Sequence, residues 1–115
     1  MDDRMKELVH KLAECVHMCN DCFNACLDEE NVKMMKECIR LDKECAEICS
    51  ATLNLVYGGS HFKKEILSLC KTICHQCADE CKKHRVEHCQ KCADACESCA
   101  AACSDFLNDS YDGVC

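Results

Sequence analysis

The sequence has no proline and no tryptophan, and only three glycines and five aromatic residues, three Phe and two Tyr. Turn signals are therefore scarce, and a conventional core of large apolar side chains would be thin. No apolar run is long enough to cross a membrane. The first stretch, "MDDRMKELVHKLAECV", carries charges every few residues, where a secretory leader would need an uninterrupted apolar segment. The expectation is a cytoplasmic protein with no membrane partner. Excess positive charge is also missing: the formal net charge is -7, with both signs mixed along the chain. That suits an acidic soluble surface and argues against nucleic acid as a partner.

What the sequence has in quantity is cysteine, 17 of its 115 residues. Protonated cysteine packs as a small hydrophobe, so it can supply the missing core. In the cytosol thiols stay reduced, and an odd count argues further against a closed disulfide framework.

The length fits one domain. The clear break is "YGGSHF" at 57–62, where Gly58 and Gly59 can end a helix and Ser60 can cap the next. Elsewhere Ala, Glu, Lys, Leu and Met favour helix. At 100° per residue, Cys15, Cys19, Cys22 and Cys26 fall within an arc of roughly 60°. So do Cys70, Cys74, Cys77 and Cys81, and likewise Cys92, Cys96, Cys99 and Cys103, extended backwards by Cys89. The phase slips between Cys26 and Cys38 and between Cys81 and Cys89, which places turns near 28–31 and 82–87. Four helices near 9–31, 32–57, 61–83 and 86–107 follow. The expected fold is all-α: a single antiparallel up-down-up-down four-helix bundle over residues 1–107 with a Cys-lined core, and a loose tail at 108–115.

Three helices carry CxxxCxxCxxxC. The second carries Cys38, Cys45 and Cys49, with Asp42 at the position of the missing thiol. This is the spacing of a helix seam facing the bundle axis. Ala, Val or Leu would fill such a seam without the risk of oxidation. Neighbours at i and i+4 on one helix do not close well into disulfides. The CxxC pairs Cys74–Cys77 and Cys89–Cys92 lie in mid-helix rather than at the helix start beside a parallel sheet, where redox catalysts carry theirs. Metal binding remains.

Thiolates select soft ions: Cu(I), zinc or iron–sulfur clusters. Zinc with four thiolates carries net −2 charge, whereas Cu(I) and thiolate in equal number sum to zero. A long buried column must stay near neutral, because uncompensated buried charge costs several kcal/mol per ion. Structural zinc and iron–sulfur sites also gather their ligands from loops and knuckles, which a lattice of helices does not provide. Multiple Cu(I) ions per chain are the expected cargo, with a zinc reservoir or an iron–sulfur protein as the alternatives. The two bundle ends differ. Leu8, Leu12, Val56, Ile66, Leu67 and Phe106 form an apolar plug at one end. Met34, Met35, His84, His88 and Cys89 gather at the other, with Asp42 one layer inside, and suit a mouth where a soft ion arrives. His17 and His75 are expected on the surface.

The segments "CIRLDKECAEIC" (38–49) and "HCQKCADACESCAAAC" (88–103) resemble the cysteine-rich four-helix-bundle copper storage proteins of bacteria, in their cytosolic branch. The resemblance runs from Cys15 to Cys103. It implies a homotetramer of bundles, each storing many Cu(I) ions in copper homeostasis and protection against copper toxicity, with no enzymatic role. Delivery by a copper chaperone or a small thiol is expected. The ligands it implies are Cys15, Cys19, Cys22, Cys26, Cys38, Cys45, Cys49, Cys70, Cys74, Cys77, Cys81, Cys89, Cys92, Cys96, Cys99 and Cys103, together with Asp42, His84 and His88. Cys115 has no counterpart in this pattern.

Overall fold

The computed structural model describes residues 2–113, with side chains as far as Asn108. Four helices follow in order: α1 (Asp3–Leu27), α2 (Lys36–Tyr57), α3 (Lys63–Lys82) and α4 (Glu87–Gly113), with a 3₁₀ turn at Val32–Met35 before α2. No strand occurs among the described residues. α1 packs against α2 and α4, and α3 against the same two; the diagonal pairs meet only through side chains at the axis, as where Cys15 of α1 reaches Cys74 of α3. The connections are short, and consecutive helices run antiparallel. The bundle is a rod of 50 × 19 × 19 Å.

The helix limits follow local chemistry. α1 starts earlier than the cysteine phase suggests because Asp2 caps it, its carboxylate accepting the Met5 N–H at 2.8 Å. It ends at Leu27, just before the expected turn at 28–31. α2 closes in a Schellman motif: the Gly59 N–H reaches the Val56 carbonyl, and the Ser60 N–H reaches that of Leu55. Gly59 sits at φ +68°, the left-handed position where a side chain would be strained. Ser60 does not cap α3 as expected. Its hydroxyl accepts the Phe62 N–H at 2.9 Å, closing a local turn, and the helix begins at Lys63 with Phe62 as its flanking residue. α4 runs past Leu107 to Gly113, because "NDSYD" contains neither Pro nor Gly to stop it. Of the expected tail, residues 114–115 lie outside the described residues, Cys115 with them.

The seam faces inward on all four helices. Ala46, Ala78, Ala93 and Ala100 are buried beside it and let the helices approach closely. At the plug, Leu8, Leu12, Val56 and Leu67 are almost wholly buried, and Phe106 packs against them half-buried. Ile66 is only half-buried and stands outside this cluster. Thr52, in phase with the α2 cysteines, is fully buried; its hydroxyl donates to the Ile48 carbonyl at 2.7 Å, so no polar atom is orphaned.

Leu12→Ala should lower the unfolding free energy of the reduced, metal-free protein by about 2–5 kcal/mol, the range for emptying a buried leucine site. Gly59→Ala, which meets strain but no neighbouring atom, should lose about 1–2 kcal/mol. Urea denaturation measures both, and an unchanged midpoint for Leu12→Ala would refute the plug as a stabilising cluster.

Candidate metal centre

Each cysteine from Cys15 to Cys103 is fully buried and free of disulfide bonds. Sulfurs from different helices meet at the axis, at separations from 3.5 Å (Cys38–Cys81) to 4.0 Å (Cys15–Cys74). They fall into groups whose ligand atoms all lie within 4.8 Å of one another. Five of these groups form a ladder. From the plug to the mouth they are Cys15/Cys49/Cys74/Cys99, Cys15/Cys19/Cys45/Cys96, Cys19/Cys77/Cys92/Cys96, Cys22/Asp42/Cys81/Cys92 and Cys22/Cys26/Cys38/Cys89. Each consecutive pair shares at least one cysteine, so the sulfur lattice has no gap along these rungs.

The grouping corrects one geometric expectation. A tetrahedral zinc site with Zn–S near 2.3 Å needs sulfurs about 3.8 Å apart, and the cysteines here meet that spacing: Cys15–Cys96 is 3.8 Å and Cys19–Cys96 3.7 Å. Four-thiol cages therefore do exist between helices. What the five rungs lack is isolation, because each shares a ligand with its neighbour. Selection against zinc then rests on charge rather than on shape.

Asp42 occupies the cysteine position that the template leaves open, with no exposure to solvent. Its Oδ1 accepts from the thiols of Cys77 at 3.3 Å, Cys92 at 3.4 Å and Cys81 at 3.5 Å, and Oδ2 from Cys38 at 3.7 Å. Burial, reinforced by the neighbouring sulfurs, pushes its carboxyl pKa up to about 10, so the acid is neutral in the metal-free core at physiological pH. Burial likewise pushes the Cys26 thiol up to about 12. A dry interior does not hold uncompensated thiolates, so the metal-free bundle packs as a neutral core, and every ion that binds as a thiolate complex must displace protons.

At the mouth, the structure separates the two histidines. His88 stands beside the thiols, with Nδ1 3.4 Å from the Cys22 sulfur and 3.6 Å from that of Cys89, while its Nε2 lies 2.9 Å from Glu29 Oε2. His84 instead pairs through Nε2 with Glu80 at 3.0 Å, one turn back along the chain, and no cysteine bonds to its ring. Met35 is buried in the core cluster with the cysteines, whereas Met34 is 70 % exposed. His17 pairs with Asp21 on the surface, and His75 is exposed, both as expected. Glu29 was not singled out by sequence reasoning; an acid in a turn after a helix is ordinary, and only the fold brings it to His88.

A bundle whose axis is a continuous sulfur lattice, buried and free of disulfide bonds, with a histidine against the thiols at one end, defines a protein that holds soft metal ions in number. Residues 1–108 match the copper storage protein family, Csp, and the chain belongs to that family. Among solved structures it is similar to the Cu(I)-bound copper storage protein BsCsp3 of Bacillus subtilis, with 40% identity and a TM-score of 0.87 over 91% of this chain and 99% of that one. It is also similar to Ccsp of Streptomyces lividans loaded with 10 copper equivalents, with 35% identity and a TM-score of 0.90 over 92% and 85%. A curated relative, the cysteine-rich protein YhjQ of Bacillus subtilis, is 47% identical over 58 residues. That match spans 50% of this chain and 54% of YhjQ.

The raised pKa of Asp42 sets the direction in which stability changes with pH. Below about pH 4 the carboxyl is protonated in both folded and unfolded chains, and the neutral acid carries no penalty. As pH rises above 4 the unfolded chain ionises while the folded one does not, so stability falls by up to about 1.4 kcal/mol per pH unit. Asp42→Asn should remove that slope. Urea midpoints of the reduced apo-protein at pH 5 and pH 7 test it: the wild type should lose more than the variant, and parallel losses would refute a neutral Asp42.

Proposed function

We propose that this protein stores and sequesters multiple Cu(I) ions, bound by the sixteen core cysteines with Asp42, His88 and, less directly, His84 at the mouth end. The observation that carries this reading is the ladder of shared thiol groups. A thiolate that belongs to two groups can bridge two ions. A monovalent ion lets all of these thiols act as thiolates with no net charge left in the dry core, whereas five zinc ions in the same five cages, against their fourteen distinct thiolates, would leave a net charge of −4 even with ligands shared. The cage spacing favours a zinc reservoir as the second reading. An iron–sulfur protein is the weaker alternative, since its ligands ordinarily sit on loops that wrap a cluster.

The same lattice supports storage rather than catalysis. Thiol–disulfide enzymes present an exposed cysteine of lowered pKa, and each of the sixteen described cysteines is buried. The cytoplasm is the compartment this reading implies, in keeping with Streptomyces lividans Ccsp being a cytosolic copper storage protein; no helix among the described residues is long and apolar enough to cross a membrane. We place the protein in copper homeostasis as a homotetramer, supplied by a copper chaperone or a small-thiol complex. Sedimentation of the apo-protein tests the assembly.

Anaerobic titration of the reduced protein with Cu(I) should show uptake of many equivalents. Saturation at one or two would sink the storage reading. Competition with a zinc chelator on protein loaded with both metals decides against the zinc reservoir if copper displaces zinc from the core. His88→Ala should slow copper uptake while leaving capacity nearly unchanged, and His84→Ala should slow it less, because only His88 stands against thiols. Stopped-flow transfer from a coloured Cu(I) chelator measures both; equal effects would refute the distinction.

A further inference from the structure

His88 is held at both ring nitrogens by groups from elsewhere in the fold. Nε2 lies 2.9 Å from the Glu29 carboxylate on the turn between α1 and the 3₁₀ segment. Nδ1 faces the sulfurs of Cys22 on α1 and Cys89 on α4, at 3.4 and 3.6 Å. A carboxylate only accepts hydrogen bonds, so in the neutral ring Nε2 carries the proton and donates it to Glu29. Nδ1 is then the bare nitrogen, and it points at Cys22/Cys26/Cys38/Cys89, the outermost rung of the ladder.

We infer that Glu29 is a positioning residue for copper capture: it holds His88 in the tautomer and orientation that present Nδ1, beside Cys22 and Cys89, to an arriving Cu(I) ion. This rests on the copper-storage reading. A histidine that binds a metal through one nitrogen is ordinarily oriented by an acceptor at the other, which also makes the ligating nitrogen a stronger donor. Without Glu29 the half-exposed ring is free to take the other tautomer, which turns an N–H toward the sulfurs and blocks the metal, or to swing toward water. Once bound, the ion lies next to Cys22, which is shared with the Cys22/Asp42/Cys81/Cys92 group, so the next rung is reached without leaving sulfur. The His84–Glu80 pair does not duplicate this arrangement, because no cysteine bonds to the His84 ring.

Nitrogen-15 NMR of the imidazole rings in the reduced apo-protein reads the tautomer directly. The wild type should show His88 protonated at Nε2, Glu29→Leu should show a mixture or the opposite tautomer, and Glu29→Gln, whose side-chain carbonyl accepts the same bond, should restore the original. Stopped-flow uptake from a coloured Cu(I) chelator should be slowed about 10-fold by Glu29→Leu at the first equivalents, with final capacity unchanged and most of the rate recovered by Glu29→Gln. An unaltered tautomer and rate in Glu29→Leu would overturn the inference while leaving storage intact. Low capacity in the wild type itself would sink storage instead, and the tautomer comparison would still decide whether Glu29 sets the ring.

Discussion

Neutrality of the buried column is the constraint on which the rest depends. Sixteen thiols with no solvent exposure occupy the place of a hydrophobic core. As thiols they are neutral, pack like small apolar groups and allow the bundle to form before any metal arrives. As thiolates without cations they would carry a charge that no dry interior can hold. The one buried carboxyl among the described residues obeys the same rule: Asp42 is kept protonated by burial. Loading therefore exchanges protons for ions, and an ion of single charge leaves the balance unchanged rung by rung.

Close helix packing is what turns the rule into a lattice. Buried alanines on α2, α3 and α4 stand beside the inward cysteines, so sulfurs from different helices meet at 3.5–4.0 Å rather than across a gap. Sharing of ligands between rungs follows from this spacing. It distinguishes the core from a stack of separate zinc sites, although each cage taken singly has the dimensions of one. The leucines and Val56 close one end, and the exposed surface carries only weak ties, such as the Lys82–Glu97 pair between α3 and α4.

The two ends differ in chemistry as well as in closure. At the mouth a carboxylate, an imidazole and two thiols lie in series, Glu29–His88–Cys22/Cys89, from the rim to the first rung. Hardness falls along that series, from oxygen through nitrogen to sulfur, so affinity for a soft ion rises inward. Of the two methionines in the turn before α2, Met34 stands in solvent and Met35 packs into the core cluster with the cysteines.

Much of this was legible in the sequence, because helical phase is a local property: the 4-3-4 spacing of cysteines and the place of Asp42 in it were enough for four inward seams and for the turns at 28–31 and 82–87. The termini of α1 and α4 were less legible, since Asp2 and the uninterrupted "NDSYD" act through capping and the lack of a breaker rather than through the cysteine rhythm. Which sulfurs share a rung, that four-thiol cages exist at all, and that His88 rather than His84 meets them were decided only by tertiary structure. The chain's periodicity determines which way each side chain faces along its own helix. The distances between helices, and a contact such as Glu29 with His88 that joins residues 59 positions apart, depend on how the four helices settle against one another in rotation and height, and no local pattern encodes that.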